Sequence, residues 1–124
     1  MIRGLHHAQI TIPEGSEDLA RDFYCRLLSL PEIEKPASLA GRGGLWLQAG
    51  DRQVHLGAED GVDRSATKAH LAYEVTDLEE VRRALADEGY GQMESVPIPG
   101  YERFEAHDPF GNRVEFIRRL EGAV

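Results

Sequence analysis

Residues His70–Asp77 read HLAYEVTD, and residues His7–Glu14 read HAQITIPE. Both stretches start on histidine, set apolar residues two apart, and reach an acid seven positions later. Each is followed by an amphipathic helix pattern. A match of this kind over half a chain indicates two copies of one unit. Alternation at period two makes both stretches strands. In the first, Ala8, Ile10 and Ile12 take the packing face, while His7, Gln9 and Thr11 take the other. In the second, Leu71, Tyr73 and Val75 pack, and His70, Ala72 and Glu74 lie opposite.

Working outward from the first strand, Pro13 and Gly15 close it, and Ser16 is the expected N-cap of a helix over 16–28. Leu19, Ala20, Phe23, Tyr24 and Leu27 form its apolar stripe. Residues 32–35 are a weak edge strand. Residues 45–49 (LWLQA) and 52–57 (RQVHLG) make a hairpin around Gly50-Asp51. Residues 58–67 carry no apolar period and link the two units. The second unit repeats the order. Its elements are a strand over 69–75, a helix opened by Asp77 and Glu80 in a capping-box-like pair and stopped by Gly89, a short strand over 92–96, and strands 101–107 and 113–117. The last two are joined by the turn DPFGN, and the tail from Arg118 is expected to fray.

The chain has 124 residues, 14 basic and 22 acidic, for a net charge of −8. This balance argues against a nucleic-acid backbone or an anionic membrane surface as partner. No apolar run is long enough to span a bilayer, and the N-terminus lacks the pattern of a signal peptide. The expected location is the cytoplasm. Cys25, the sole cysteine, excludes an internal disulfide and reads as a small buried hydrophobe.

The repeat selects four residues. His7 and His70 are 63 positions apart, and His55 and Glu115 are 60 apart. The latter two sit in the last strand of each unit, framed as VHL and VEF. All four lie on the face opposite the helix-packing residues. Three imidazoles and a carboxylate suit a divalent transition metal (Zn, Ni, Fe, Mn or Co). His6 has the packing parity and His107 adjoins a turn, so neither is a candidate ligand.

The βαβββ repeat, HAQITIP with ARDFY behind it, HLAYEVTD and DPFGNRVEF together resemble the vicinal oxygen chelate superfamily. Its members include glyoxalase I, extradiol dioxygenases, fosfomycin-resistance thiol transferases and bleomycin-resistance proteins. The resemblance runs from residue 3 to 118. It implies an α+β fold of two βαβββ repeats (about 3–57 and 68–118) in a single domain. That fold is a curved mixed sheet around a cup-like cavity, with helices on the outer face. It implies a metal held by His7, His70 and Glu115, with His55 where glyoxalase I has a glutamate. His55 is then a fourth ligand or a general base, and His55 and Glu115 are the catalytic candidates. Arg103, Trp46, Gln9, Gln48 and Gln53 have the parity to line a substrate pocket, with Arg103 suited to an anionic group. The expected function is a metal-dependent lyase, thiol transferase or dioxygenase acting on a small oxygenated molecule through adjacent metal-bound oxygens. The alternative is a non-catalytic drug-sequestering protein of the bleomycin-resistance kind. A homodimer is expected, because short members of the superfamily commonly pair.

Overall fold

The structure is a computed structural model and describes residues 1–123. The chain divides into two compact units, Met1–Val62 and Asp63–Val124. The division falls inside the stretch that has no apolar period.

Unit 1 holds β1 (His7–Ile12), a helix, β2 (Glu32–Ile33), β3 (Leu45–Ala49) and β4 (Arg52–Ala58). Unit 2 holds β5 (His70–Glu74), a helix, β6 (Met93–Glu94), β7 (Tyr101–His107) and β8 (Arg113–Arg119). Each makes a four-stranded mixed sheet, in the orders β1-β4-β3-β2 and β5-β8-β7-β6. In both, the first strand runs parallel to the last, and the last three are antiparallel neighbours. The fold is therefore α+β, with two modules of one topology.

The core of unit 1 is built from the residues with packing parity, including Ile12, Leu45, Leu47, Val54 and Leu56, all buried. Ala20, Phe23 and Tyr24 join them from the helix. Unit 2 buries Phe104, Ala106, Val114 and Phe116 from its sheet and Leu78 and Leu85 from its helix. The Arg82 guanidinium lies 4.2 Å from the centre of the Phe104 ring, a cation–π contact that seals the helix over the sheet.

The helices differ from a plain period-3.6 reading. In unit 1 only Glu17–Ala20 (α1) is α-helical, and Arg21–Leu27 winds as a wider π-helix. Phe23 and Tyr24 are sequence neighbours yet both fully buried, and Leu19, placed by spacing in the apolar stripe, is exposed. Ser16 does not cap. Its hydroxyl donates backwards to the Pro13 carbonyl at 2.5 Å, so the local turn takes the group that would otherwise have capped α1. In unit 2, α2 (Leu78–Asp87) is capped as expected, the Asp77 carboxylate accepting from the Glu80 N–H at 3.1 Å. β8 extends to Arg119, whose guanidinium pairs with Glu74 at 3.2 Å, so the strand outruns the expected fray point at Arg118. Cys25 is only partly buried. Among the described residues no helix is long and apolar enough to cross a membrane.

Gly44 opens β3 at φ 77°, and a Cβ there would lie 2.0 Å from the Leu56 carbonyl oxygen. Gly44→Ala adds left-handed strain to a backbone clash. It is expected to cost at least about 2 kcal/mol of stability, read from urea denaturation.

Candidate functional site

In unit 1, β1 and β4 place His7 and His55 side by side. The parallel register sets Gln9 opposite His55 and His7 opposite Gln53. The two imidazoles stack with centroids 4.1 Å apart and planes 19° from parallel. Trp46 on β3 is the cross-strand partner of His55, and its ring lies flat on the other imidazole face, 3.7 Å away and within 1° of parallel. His55 is thus the centre of a three-ring stack and is 5% exposed. Its Nε2 meets the Gln53 Oε1 at 2.9 Å, so Nε2 carries the proton and donates. Burial holds the His55 pKa below the ordinary imidazole value, and the nearby His7 and His6 push the same way. Gln9 lies over Gly57, where a Cβ would sit 2.8 Å from its amide nitrogen. His7, Gln9, Trp46, Gln53 and His55 line one cavity of about 650 Å³. Gln48 is outside that lining and donates to the Gly50 carbonyl at 2.8 Å. His6, given packing parity by sequence, is exposed and lines the cavity, with its Nδ1 3.0 Å from that of His7.

In unit 2 the same register sets Ala72 opposite Glu115, as Gln9 stands opposite His55. The cross-strand partner of Glu115 is Glu105, where unit 1 has Trp46. His70 Nε2 lies 2.9 Å from Glu115 Oε1 and 4.0 Å from Glu105 Oε1. His70 Nδ1 lies 2.9 Å from the Lys68 carbonyl. Both ring nitrogens therefore face acceptors, an arrangement met in full only by imidazolium. The His70 pKa is raised accordingly, by the Lys68 carbonyl and then by Glu115. Arg103 donates through Nη1 to Glu115 Oε1 at 3.2 Å and through Nε and Nη2 to the Val96 carbonyl at 3.0 and 2.6 Å. Arg113 stands 3.9 Å from Glu105.

His70, Glu105 and Glu115 each offer one ligand atom, and these lie within 4.8 Å of one another. An ion bound at about 2.1 Å from each donor spans about 4.2 Å between opposite ligands, so a modest inward turn of the carboxylates closes the set. One imidazole and two carboxylates suit the first-row divalent metals. The Lys68 carbonyl fixes His70 with Nδ1–H toward it and Nε2 toward the carboxylates, the hydrogen bond that commonly orients a ligating histidine. Glu105 was not among the sequence candidates. Its alternation with Arg103 and its position opposite Glu115 across a hairpin were the available signals.

A family model described as the glyoxalase/bleomycin resistance protein/dioxygenase superfamily matches residues 4–116. The chain belongs to this superfamily. A structure described as of the glyoxalase family, from Bacillus anthracis, is 35% identical, with TM-score 0.87 and coverage of 96% of this chain and 97% of that one. A glyoxalase/dioxygenase from Nostoc punctiforme (19% identity, TM-score 0.77, 96% and 92% covered) shares the fold. So does an E126Q mutant of the Listeria monocytogenes fosfomycin resistance protein FosX, complexed with Mn(II) and 1S,2S-dihydroxypropylphosphonic acid (14%, TM-score 0.80, 98% and 95%). Comparison with curated proteins gives no match. Within the superfamily fold, the module duplication is thus occupied differently. The last-strand position is His55 stacked on Trp46 in one unit and Glu115 facing Glu105 in the other.

The opposite shifts of the two histidines are directly measurable. In metal-free protein, NMR titration is expected to place His70 above and His55 below the usual value near 6.5. For stability, the raised His70 pKa means that its contribution is complete below the unfolded-state value and is lost as pH rises through the folded-state value. His70→Gln in metal-free protein is therefore expected to destabilise most at mildly acidic pH, checked by denaturant midpoints across pH.

Proposed function

We propose that the chain is a metal-dependent enzyme of the glyoxalase/dioxygenase type, acting on a small oxygenated molecule that offers adjacent oxygens. The observation that carries this is the convergence of His70, Glu105 and Glu115 donor atoms. Membership of the superfamily supports it, as does the Mn(II) named with FosX. Zn, Ni, Fe, Mn and Co all suit the donors. When bound, such an ion supplies Lewis-acid stabilisation of negative charge on substrate oxygens.

The chain's own residues then divide the work. His70, Glu115 and Glu105 would hold the ion in unit 2, and His7 and His55 are the imidazoles at the equivalent strand positions of unit 1. His55 keeps its proton on Nε2 against Gln53 and stays neutral near pH 7, so its Nδ1 is the basic atom available for proton transfer. Glu115 serves as ligand or proton acceptor. Arg103, 3.2 Å from Glu115, offers a cation for an anionic group brought to the unit 2 cluster. Trp46, Gln9 and Gln53 form a wall of the unit 1 cavity. We further propose that the two units act as a single domain and that two chains associate as a homodimer.

One observation favours a second reading. Arg103 already neutralises Glu115 without a metal, as it would in a drug-sequestering protein that binds ligands through the polar face alone. Elemental analysis of untagged protein purified without chelators separates the two. Near-stoichiometric metal supports the enzyme. Absence of metal, with no thermal shift on adding Zn, Ni, Mn or Fe, sinks it. Glutathione-dependent loss of methylglyoxal and oxygen uptake with catechols then test the two principal reaction types.

A further inference from the structure

The unit 1 cavity has a wall that plays no part in the metal centre. The segment between β2 and β3 includes a 3₁₀-helical stretch, Ala37–Arg42, and contributes Lys35, Leu39, Arg42 and Gly43 to the lining. Five lining residues carry a cation or an imidazole, namely His6, His7, His55, Lys35 and Arg42, and none is an acid. This acid-free lining belongs to a chain with 22 acidic residues and a net charge of −8. The cavity's sign is therefore opposite to that of the molecule. A concave wall focuses such a local field.

Lys35 is not free to wander. Its ammonium donates to the Gly43 carbonyl at 2.5 Å, which fixes it on the wall and leaves two of its three donors for another acceptor. Gly43 takes φ 74°, and a Cβ there would lie 3.3 Å from both the Ala58 Cβ and Glu17 Oε1. Glu17 stands behind this wall. Its carboxylate accepts from the Gly44 N–H at 3.0 Å, which lowers its pKa, and Lys35 adds to that effect. Part of the Lys35 charge is thus spent on Glu17. Arg42 is exposed, and no ion pair engages it among the described residues. Leu39 and Trp46 supply apolar surface in the same cavity.

We infer that the 35–43 wall is a recognition site for a small organic anion, its oxyanion held by Arg42 and Lys35 and its apolar part set against Leu39 and Trp46. The inference rests on the reading of this cavity as the substrate pocket, but it needs no metal. The volume of about 650 Å³ suits a small-molecule ligand. Each lost charge-assisted hydrogen bond is expected to weaken binding by about tenfold.

Trp46 is the only tryptophan, so its fluorescence reports on this cavity alone. Metal-stripped protein is titrated with benzoate and with benzamide, its uncharged counterpart. Saturable quenching by benzoate, at least tenfold tighter than by benzamide, is expected. In the Lys35→Gln/Arg42→Gln variant the preference disappears while the benzamide response stays. Added salt should weaken benzoate binding to the original protein more than to the variant. No saturable benzoate response, equal binding of the two probes, or an unchanged preference in the variant would overturn the inference. Metal content of the same variant is measured in parallel. It is expected to be unchanged, because neither residue belongs to the His70–Glu105–Glu115 cluster. A chain that selects benzoate but holds no metal would leave this inference standing and remove the metal reading.

Discussion

Replacing His70 by alanine is expected to lower divalent-metal affinity by at least about a hundredfold. Loss of an outer-shell partner alone costs a metal site about 10- to 100-fold, and His70 is the only nitrogen donor of the unit 2 cluster. The change also removes the carboxylate–imidazole contact at 2.9 Å that brings Glu115 into line. Glu115→Gln should have a similar effect on metal while keeping the shape of a side chain that is 6% exposed. Alanine there would instead leave Arg103 without its carboxylate in a site where that guanidinium is 17% exposed, mixing a folding defect with a binding one. Glu105→Gln is the informative third variant. If Glu105 ligates, its affinity loss approaches that of Glu115→Gln. If it only holds Arg113, metal affinity barely moves. Competition with a fluorescent chelator, followed by elemental analysis after gel filtration, reads all three. Stoichiometric metal in His70→Ala would remove the unit 2 cluster from consideration.

The duplication was legible because a strand's side-chain period is two and each unit repeats the same strand order. The matched positions, His7 with His70 and His55 with Glu115, occupy equivalent registers, as the offsets of 63 and 60 required. Cross-strand chemistry was harder to read. Nothing in the run YERFEAH says that Glu105, rather than Arg103, sits opposite Glu115. Hairpin register decides that, and the register depends on the number of residues in the DPFGN turn. Trp46 had the parity of a pocket residue, but its stacking on His55 is a contact between strands that alternation does not encode. The Ser16 cap failed for a similar reason. Its hydroxyl had two acceptable partners, and the turn at Pro13 offered the nearer one. Gln48 kept the expected parity yet bends back to Gly50, which parity cannot exclude. Lys35 ends the stretch read as a weak edge strand and Arg42 lies in the undecipherable segment after it, so only the folded cavity brings them together with His7 and His55.

The turn that joins the strands carrying Glu105 and Glu115 is held by one buried carboxylate, and its removal is the second large expected effect. Asp108 is 4% exposed. Its Oδ1 accepts from the backbone N–H groups of Phe110 and Asn112, each at 2.9 Å, and its Oδ2 accepts from the Asn112 side-chain amide at 2.8 Å. Its own N–H donates to the Asn112 carbonyl at 2.9 Å, which closes the turn. Asp108→Ala strands three donors in a part-buried turn at about 1 kcal/mol or more each, so a loss of about 3 kcal/mol is expected, seen as a lower urea midpoint. Asp108→Asn keeps an oxygen for the two backbone donors but sets an amide against the Asn112 amide, and should cost about a third of that. The two variants also separate fold from site. If the turn sets the β7–β8 register, metal affinity in Asp108→Ala should fall even at temperatures where the chain remains folded, because Glu105 and Glu115 sit three and seven residues from the altered position on opposite strands. If affinity survives the loss of stability, the pairing of Phe104 with Phe116, both buried, is sufficient to hold the two carboxylates together, and the turn stabilises the hairpin without choosing its register.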